Sequence, residues 1–120
     1  MDDKTTIEEL KRIVIKFMDE RGWKKYHNPK DLAVSISIEA AELLEIFQWK
    51  SVEEIKDMLK DNEKYQKACE ELADIIIYCL YFTNAVNADM SEIVKNKMEL
   101  NRKKYPVEKA KDNAKKYTEL

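Results

Sequence analysis

The sequence has 120 residues, of which 44% are hydrophobic and 38% are charged, and its formal net charge is −2. This length favours one compact domain, and the presence of only one glycine and two prolines favours an all-α fold, because strands joined by tight turns need more of both. The small net charge gives no electrostatic reason to expect a nucleic-acid polymer or a membrane as partner.

Two features of the sequence bear on the location of the protein. The first ten residues are acidic and lack the order of a secretory signal, and no apolar run approaches the roughly 20 residues that a transmembrane helix needs. Cys69 and Cys79 fall on one predicted helix, about 15 Å apart along its axis, which is too far for a disulfide. We therefore expect a cytoplasmic protein with two reduced cysteines.

The first predicted helix begins at a capping residue and ends at the single glycine. Thr5 or Thr6 is followed three residues later by a glutamate, which is the pattern of a capping box. Apolar residues then recur at helical spacing, and the helix should end near Gly22. These apolar residues are Ile7, Leu10, Ile13, Val14, Phe17 and Met18.

The second and third predicted helices also have clear start signals. Asn28 as N-cap and Pro29 at the first helical position open a helix that should run to about Trp49. Ser51, with a glutamate three residues later, opens a short helix to about Leu59.

The fourth predicted helix spans roughly residues 63 to 86 and is apolar nearly all round in its segment "LADIIIYCLYF". A helix without a polar face must be covered on every side, and a single chain of this length hardly supplies enough neighbours. This segment therefore favours a homo-oligomer.

The last predicted helix lies near the end of the chain. Asp89 as N-cap opens it, it continues to about Lys104, and Pro106 stops it. Residues 104–120 are too polar to pack unaided and are expected to form an extended tail. The sequence thus predicts a single all-α domain over residues 1–120, with four to five helices.

Two pairs of acidic residues lie among apolar neighbours in the second and fourth predicted helices. Glu39 and Glu42 are three residues apart, and Glu71 and Asp74 repeat this spacing. Residues three apart share one face of a helix, so the four carboxylates converge if the two helices pack side by side. Neighbouring carboxylates repel each other unless a divalent cation lies between them. The pattern therefore indicates a metal site.

The chemistry of these ligands restricts the metal, and a second interpretation stays open. The chain has one histidine, and neither acidic pair includes a cysteine, so the ligands are hard oxygens that suit Mg²⁺ or Mn²⁺. Such a site fits phosphate chemistry. With 24 acidic residues the spacing also arises by chance. The alternative is a non-catalytic helical oligomer, in which the acids form salt bridges with neighbouring helices.

The segments "EAAELLEIFQW" and "EELADIIIY" resemble the MazG-like, all-α nucleoside triphosphate pyrophosphohydrolases, whose metal motif is a Glu pair followed by Glu-x-x-Asp. Within this superfamily, "RGWKKYHNPKDL", "KMELNRKKYP" and "KYTEL" are similar to the dCTP pyrophosphatase group. The similarity covers nearly the whole chain. Many MazG-type motifs have a glutamate where this chain has Ile38, and the dCTP pyrophosphatase group lacks that glutamate too.

The resemblance implies a MazG-like helical bundle assembled as a homo-oligomer, with a tetramer as the expected number. It implies that Mg²⁺ is bound by Glu39, Glu42, Glu71 and Asp74. It also implies a nucleotide pocket formed by Trp23, His27, Trp49, Tyr78, Lys97 and Asn101.

Most of these pocket residues have a simpler interpretation from the sequence alone. A tryptophan beside a helix end often fills a core, and an isolated loop histidine such as His27 is usually a surface residue. Tyr78 is one turn beyond Asp74 and fits core packing equally well. Lys97 and Asn101 are four apart and fit a solvated helix face.

The reaction implied by the resemblance is hydrolysis of a nucleoside triphosphate between the α and β phosphates, with dCTP or a modified dCTP as substrate. Glu39 or Glu42 is the candidate general base, and Lys97 would offset charge on the leaving pyrophosphate. The alternative within the same chemistry is dUTP or a noncanonical triphosphate.

Overall fold

A computed structural model describes all 120 residues, and they form an all-α fold, as the sequence predicts. None of the helices is both long and apolar enough to cross a lipid bilayer. Short 3₁₀ turns lie at Lys24–Tyr26 and Tyr117–Glu119. The six helices are α1 (Ile7–Glu20), α2 (Pro29–Phe47), α3 (Val52–Met58), α4 (Asn62–Ala85), α5 (Met90–Lys104) and α6 (Val107–Ala110).

Side-chain caps fix the starts of the five longer helices. In each case the capping oxygen accepts a hydrogen bond from the backbone N–H three residues later, which satisfies one of the unpaired donors of the first turn. Four of these caps are the ones that the sequence predicts, and Asp61 is an additional one. The capping residues are Thr6, Asn28, Ser51, Asp61 and Asp89.

The structure differs from the prediction at the end of the second helix and in the segment after Pro106. The second helix ends at Phe47 rather than Trp49, because Gln48 leaves the helical region with ψ 139 and Trp49 has a left-handed backbone with φ 68. A sixth helix follows Pro106, so the expected four to five helices become six. This helix is a single turn, and four residues are too few to show a helical period in the sequence.

The chain divides into two compact units, residues 1–87 and 88–120, and the expectation of a single domain over 1–120 stays a prediction. In the second unit, the rings of Tyr105 and Tyr117 meet edge to face with centroids 6.1 Å apart. The Lys104 ammonium lies 4.7 Å from the centre of the Tyr117 ring. These contacts tie the last 3₁₀ turn to the end of α5, in a segment where the sequence predicts only an extended tail.

In the first unit, α4 packs mainly against α2 and also against α1. Met18, Leu32 and Tyr81, one from each of these helices, form the buried centre of the core. The Tyr81 hydroxyl donates a 2.8 Å hydrogen bond to the carbonyl of Val14, so this buried ring also satisfies its polar end. The three helices are thereby held in a fixed register around Tyr81.

Large apolar side chains remain exposed on the two helices that pack most closely. On α2, Ile38 and Leu44 are 52% and 67% exposed, and on α4, Leu72 is 52% exposed. The apolar segment of α4 is therefore covered only in part within one chain. Cys69 and Cys79 are both free, as expected.

We predict that Leu32→Ala lowers the free energy of unfolding by about 2–5 kcal/mol, because the removed methyl groups leave a cavity among α1, α2 and α4. Leu32 is 1% exposed. Urea unfolding followed by circular dichroism measures the change. Val52→Ala is the control: Val52 is 67% exposed on α3, and the control should differ from the unchanged protein by less than about 0.5 kcal/mol. Equal losses in both variants would contradict this description of the core.

Candidate active site

Three of the four predicted acidic ligands converge where α2 packs against α4. Carboxylate oxygens of Glu39, Glu42 and Glu71 all lie within 4.8 Å of one another. The spacing of three residues puts Glu39 and Glu42 on one face of α2, and the close packing of α2 on α4 brings Glu71 to that face. We call these three residues the acidic cluster.

The acidic cluster is only partly satisfied by the protein itself. Glu71 is 5% exposed, Glu39 is half-buried and Glu42 is exposed. One carboxylate oxygen of Glu39 and one of Glu71 are buried without a hydrogen-bond partner. A buried charged oxygen without a partner costs stability. Hard, buried and unpaired oxygens are the ligands that Mg²⁺ or Mn²⁺ prefers, so the residues present fit such an ion.

Burial and like charge both act on Glu39. Burial, the approach of the Glu42 carboxylate, and the charges of Asp74 and Glu71 raise the pKa of Glu39 from its ordinary 4.5 to about 7. Without a cation, part of the Glu39 population therefore keeps its proton at neutral pH. The mutual repulsion that the sequence predicts for these acids is present in the structure.

Glu71 differs from Glu39 because it has a cationic partner that the sequence analysis missed. The Lys67 ammonium lies 2.8 Å from one carboxylate oxygen of Glu71. This hydrogen-bonded pair lowers the pKa of Glu71, against the opposing effect of burial. The available signal was the spacing of four residues on one helix, which makes a lysine and a glutamate neighbours.

Asp74, the fourth predicted ligand, lies outside the acidic cluster and lines a cavity next to it. This cavity has a volume of about 340 Å³. Because the charge of Asp74 still acts on Glu39, this carboxylate links the acidic cluster to the cavity. The cavity is lined by Ile13, Val14, Phe17, Trp23, His27, Asp74, Ile77, Tyr78 and Tyr81.

The cavity brings together three of the predicted pocket residues, namely Trp23, His27 and Tyr78. Its wall from α1 is apolar, and the Phe17 ring meets the Trp23 ring edge to face with centroids 5.7 Å apart. Aromatic walls of this kind suit a flat, partly apolar group such as a nucleobase. Phe17 and Tyr81 were not predicted as pocket residues, because on amphipathic helices they cannot be distinguished from core residues by spacing.

The turn after α1 brings Trp23 to the cavity. The N–H of Trp23 donates to the carbonyl of Met18, and the N–H of Gly22 donates to the carbonyl of Asp19. This is the Schellman arrangement, and it needs a left-handed residue, which Gly22 supplies with φ 66. The chain therefore changes direction at Gly22, which places Trp23 beside the last turn of α1.

His27 lines the cavity and packs against the ring of Tyr81. Its ring centroid is 4.5 Å from that of Tyr81. Burial lowers the pKa of His27, so the ring is neutral near pH 7. Its Nδ1 is buried and has no hydrogen-bond partner. One hydrogen-bonding position of the imidazole is therefore left without a partner in the chain.

Another predicted pocket residue of the first unit, Trp49, does not line this cavity. Trp49 follows the end of α2 and is 91% exposed. Lys97 and Asn101 lie on α5, in the second unit, where the Asn101 amide approaches the Met98 sulfur at 4.0 Å. The roles of Trp49, Lys97 and Asn101 in a nucleotide pocket stay predictions.

Comparisons with known proteins identify the family of this chain. The family model described as MazG-like matches residues 34–120. The chain is 35% identical to mouse dCTP pyrophosphatase 1 and 34% identical to the human protein of that name, in both cases over 96% of this chain and 68% of the relative. The crystal structure of a pyrophosphatase from Archaeoglobus fulgidus is similar with a TM-score of 0.77 and 51% identity, over 82% of this chain and 91% of that one.

The family match covers the acidic cluster, and the cavity residues of α1 fall within the region shared with the curated relatives, which spans nearly the whole chain. The chain belongs to the MazG-like family and is a dCTP diphosphatase-like hydrolase.

Proposed function

We propose that this protein hydrolyses dCTP, or a modified dCTP, between the α and β phosphates in a Mg²⁺-dependent reaction that releases the monophosphate and pyrophosphate. One observation carries the proposal: the acidic cluster, with unpartnered buried oxygens, lies beside a cavity with aromatic walls and is linked to it by Asp74. A nucleoside triphosphate has the same two parts, a flat base and a charged tail. The names of the relatives support dCTP as the first substrate to test.

The acidic residues would hold the metal. Glu39, Glu42 and Glu71 offer converging oxygens, and Asp74 would complete the set from the cavity side. Mg²⁺, when bound, offsets the charge of the triphosphate and lowers the pKa of an attacking water. Mn²⁺ would serve as a substitute, since it accepts the same hard ligands.

The remaining residues would bind the substrate and move the proton. Glu39 or Glu42 would accept a proton from the attacking water. His27 and Tyr78 would hold the base, and Lys97 would offset charge on the leaving pyrophosphate. Trp23 would present its aromatic ring to the base.

We also propose that the protein acts as a homo-oligomer in the cytoplasm, with a tetramer as the assembly to test. The exposed apolar residues of α2 and α4 support an assembly, because a surface of this kind is stable when it is covered by another chain. The two free cysteines fit a reducing compartment.

The direct test of the proposal measures pyrophosphate release from a panel of triphosphates with Mg²⁺. We expect dCTP to give the highest kcat/KM and dCMP plus pyrophosphate to be the products. A preference for dUTP or a noncanonical triphosphate would keep the chemistry and change the substrate. Release of inorganic phosphate, or no turnover of any triphosphate, would contradict the proposal.

Glu71→Gln should reduce kcat/KM about 10²-fold or more, because it removes a buried charged ligand while keeping the size of the side chain. Glu70→Gln is the matched control, since Glu70 is the exposed neighbour on α4 and lies outside the acidic cluster. Circular dichroism verifies that both variants fold. Equal turnover in the two variants would remove Glu71 from the mechanism.

In the metal-free protein, Glu39 should make stability fall as the pH rises. The folded pKa of about 7 lies above the ordinary 4.5, so the folded state keeps a proton that the unfolded state releases between these values. The variant Glu39→Gln carries a neutral side chain at this position throughout this pH range. The Tm of the variant minus the Tm of the unchanged protein should therefore increase as the pH rises from 4.5 to about 7. Thermal unfolding in the presence of a chelator measures the difference.

Two controls isolate this effect of Glu39. The lowered pKa of His27 acts in the opposite direction below its ordinary 6.5, and it cancels because both proteins contain His27. Glu71 acts only below its ordinary 4.5, since its pKa is lowered. With excess Mg²⁺ the unchanged protein should melt at a higher temperature than Glu39→Gln, because the variant lacks a charged ligand. A pH-independent difference would show that Glu39 is not strained by burial and repulsion.

A further inference from the structure

Lys67 is the basic side chain that contacts the acidic cluster. Its ammonium lies 2.8 Å from Glu71, and the two side chains differ greatly in exposure, 59% for Lys67 and 7% for Glu71. The negative charge of the acidic cluster attracts this ammonium from the solvent side.

The burial of Glu71, rather than the helical spacing, accounts for the ion pair between Lys67 and Glu71. A lysine placed four residues before a glutamate is the weaker of the two orders for a helical ion pair. Glu71, however, is buried with its other oxygen unpartnered, so losing Lys67 would leave a buried carboxylate without its cationic partner. The Lys67 ammonium thus supplies the positive charge that the buried Glu71 carboxylate lacks.

A bound dication and Lys67 compete for the same carboxylate. Lys67 contacts Glu71 alone, whereas an ion at the centre of the acidic cluster would contact Glu39, Glu42 and Glu71 together. The ammonium has room to leave, since Lys67 lines an open cavity of about 440 Å³ with Glu42, Glu45, Ile46 and Glu71. Because Lys67 is already more than half exposed, its return to water costs little.

We propose that Lys67 is a positioning residue that acts through Glu71: its ammonium holds the Glu71 carboxylate while the divalent cation is absent and is displaced when the cation binds, so Lys67 sets the metal affinity of the site. This inference rests on the proposed metal site. It assigns to Lys67 a role that differs from binding of substrate. The metal-free cluster is stabilised by Lys67, and the metal must replace that interaction.

The test is a calorimetric titration of the metal-free protein with Mg²⁺, without any nucleotide. Lys67→Gln should bind Mg²⁺ about tenfold more tightly, because the competing cation is gone. Lys67→Arg keeps the charge and should retain the unchanged affinity. Lys64→Gln removes an exposed charge one turn earlier on α4 and should change the affinity by less than about twofold.

A second measurement separates competition from a general effect of charge. In a chelator, Lys67→Gln should melt at a lower temperature than the unchanged protein, whereas with saturating Mg²⁺ the two should melt together. Unchanged or weaker Mg²⁺ binding by Lys67→Gln would overturn the inference, even if the enzyme hydrolyses dCTP. Failure of the unchanged protein to bind Mg²⁺ would overturn both this inference and the metal dependence of the proposed function.

Discussion

The contact between α2 and α4 forces like charges together, and the rest of the site depends on this constraint. Glu39 and Glu71 lie on helices whose packing is set by an apolar core around Leu32 and Tyr81, so that core fixes the backbone positions that carry the two carboxylates. The raised pKa of Glu39 and the capture of Lys67 by Glu71 are two responses to the same crowding. One response uses a proton and the other uses an ammonium. A divalent cation would satisfy both carboxylates at once.

Tyr81 connects the folding core with the cavity. Its hydroxyl fixes α4 to the backbone of α1, its ring packs on His27, and it also lines the cavity beside Asp74. The side of the cavity formed by Tyr81 is therefore fixed by the core. Phe17 of α1 and Trp23 after it line the cavity with half-exposed rings. Under the proposed function, the aromatic rings of this cavity would hold the nucleobase, and the triphosphate would extend toward the acidic cluster.

Most of the fold could be predicted from local signals, because each long helix begins with a side chain that caps it. Asn28 with Pro29, and Ser51, give their helix starts directly. The acidic cluster could be predicted as well, since spacing puts Glu39 and Glu42 on one face. The separation of Asp74 from the cluster could not, because it depends on the angle between α2 and α4. The contact of Lys67 with the acidic cluster could not be predicted for a related reason. It depends on the burial of Glu71, which the spacing of the two residues on α4 does not reveal.

The site also shows how function competes with stability in this small protein. Unpartnered oxygens on Glu39 and Glu71, and half-exposed aromatic rings along α1, are features that a sequence selected for stability alone would avoid. Each of them would be resolved by a bound partner under the proposed function: a cation would satisfy the oxygens, and a base or another chain would cover the apolar surface. Because ligands that bind only the folded state stabilise it, the loaded enzyme recovers the free energy that its empty site gives up. Under the proposed function, the metal-free chain would therefore be the least stable form of the protein, and Lys67 would limit its loss of stability.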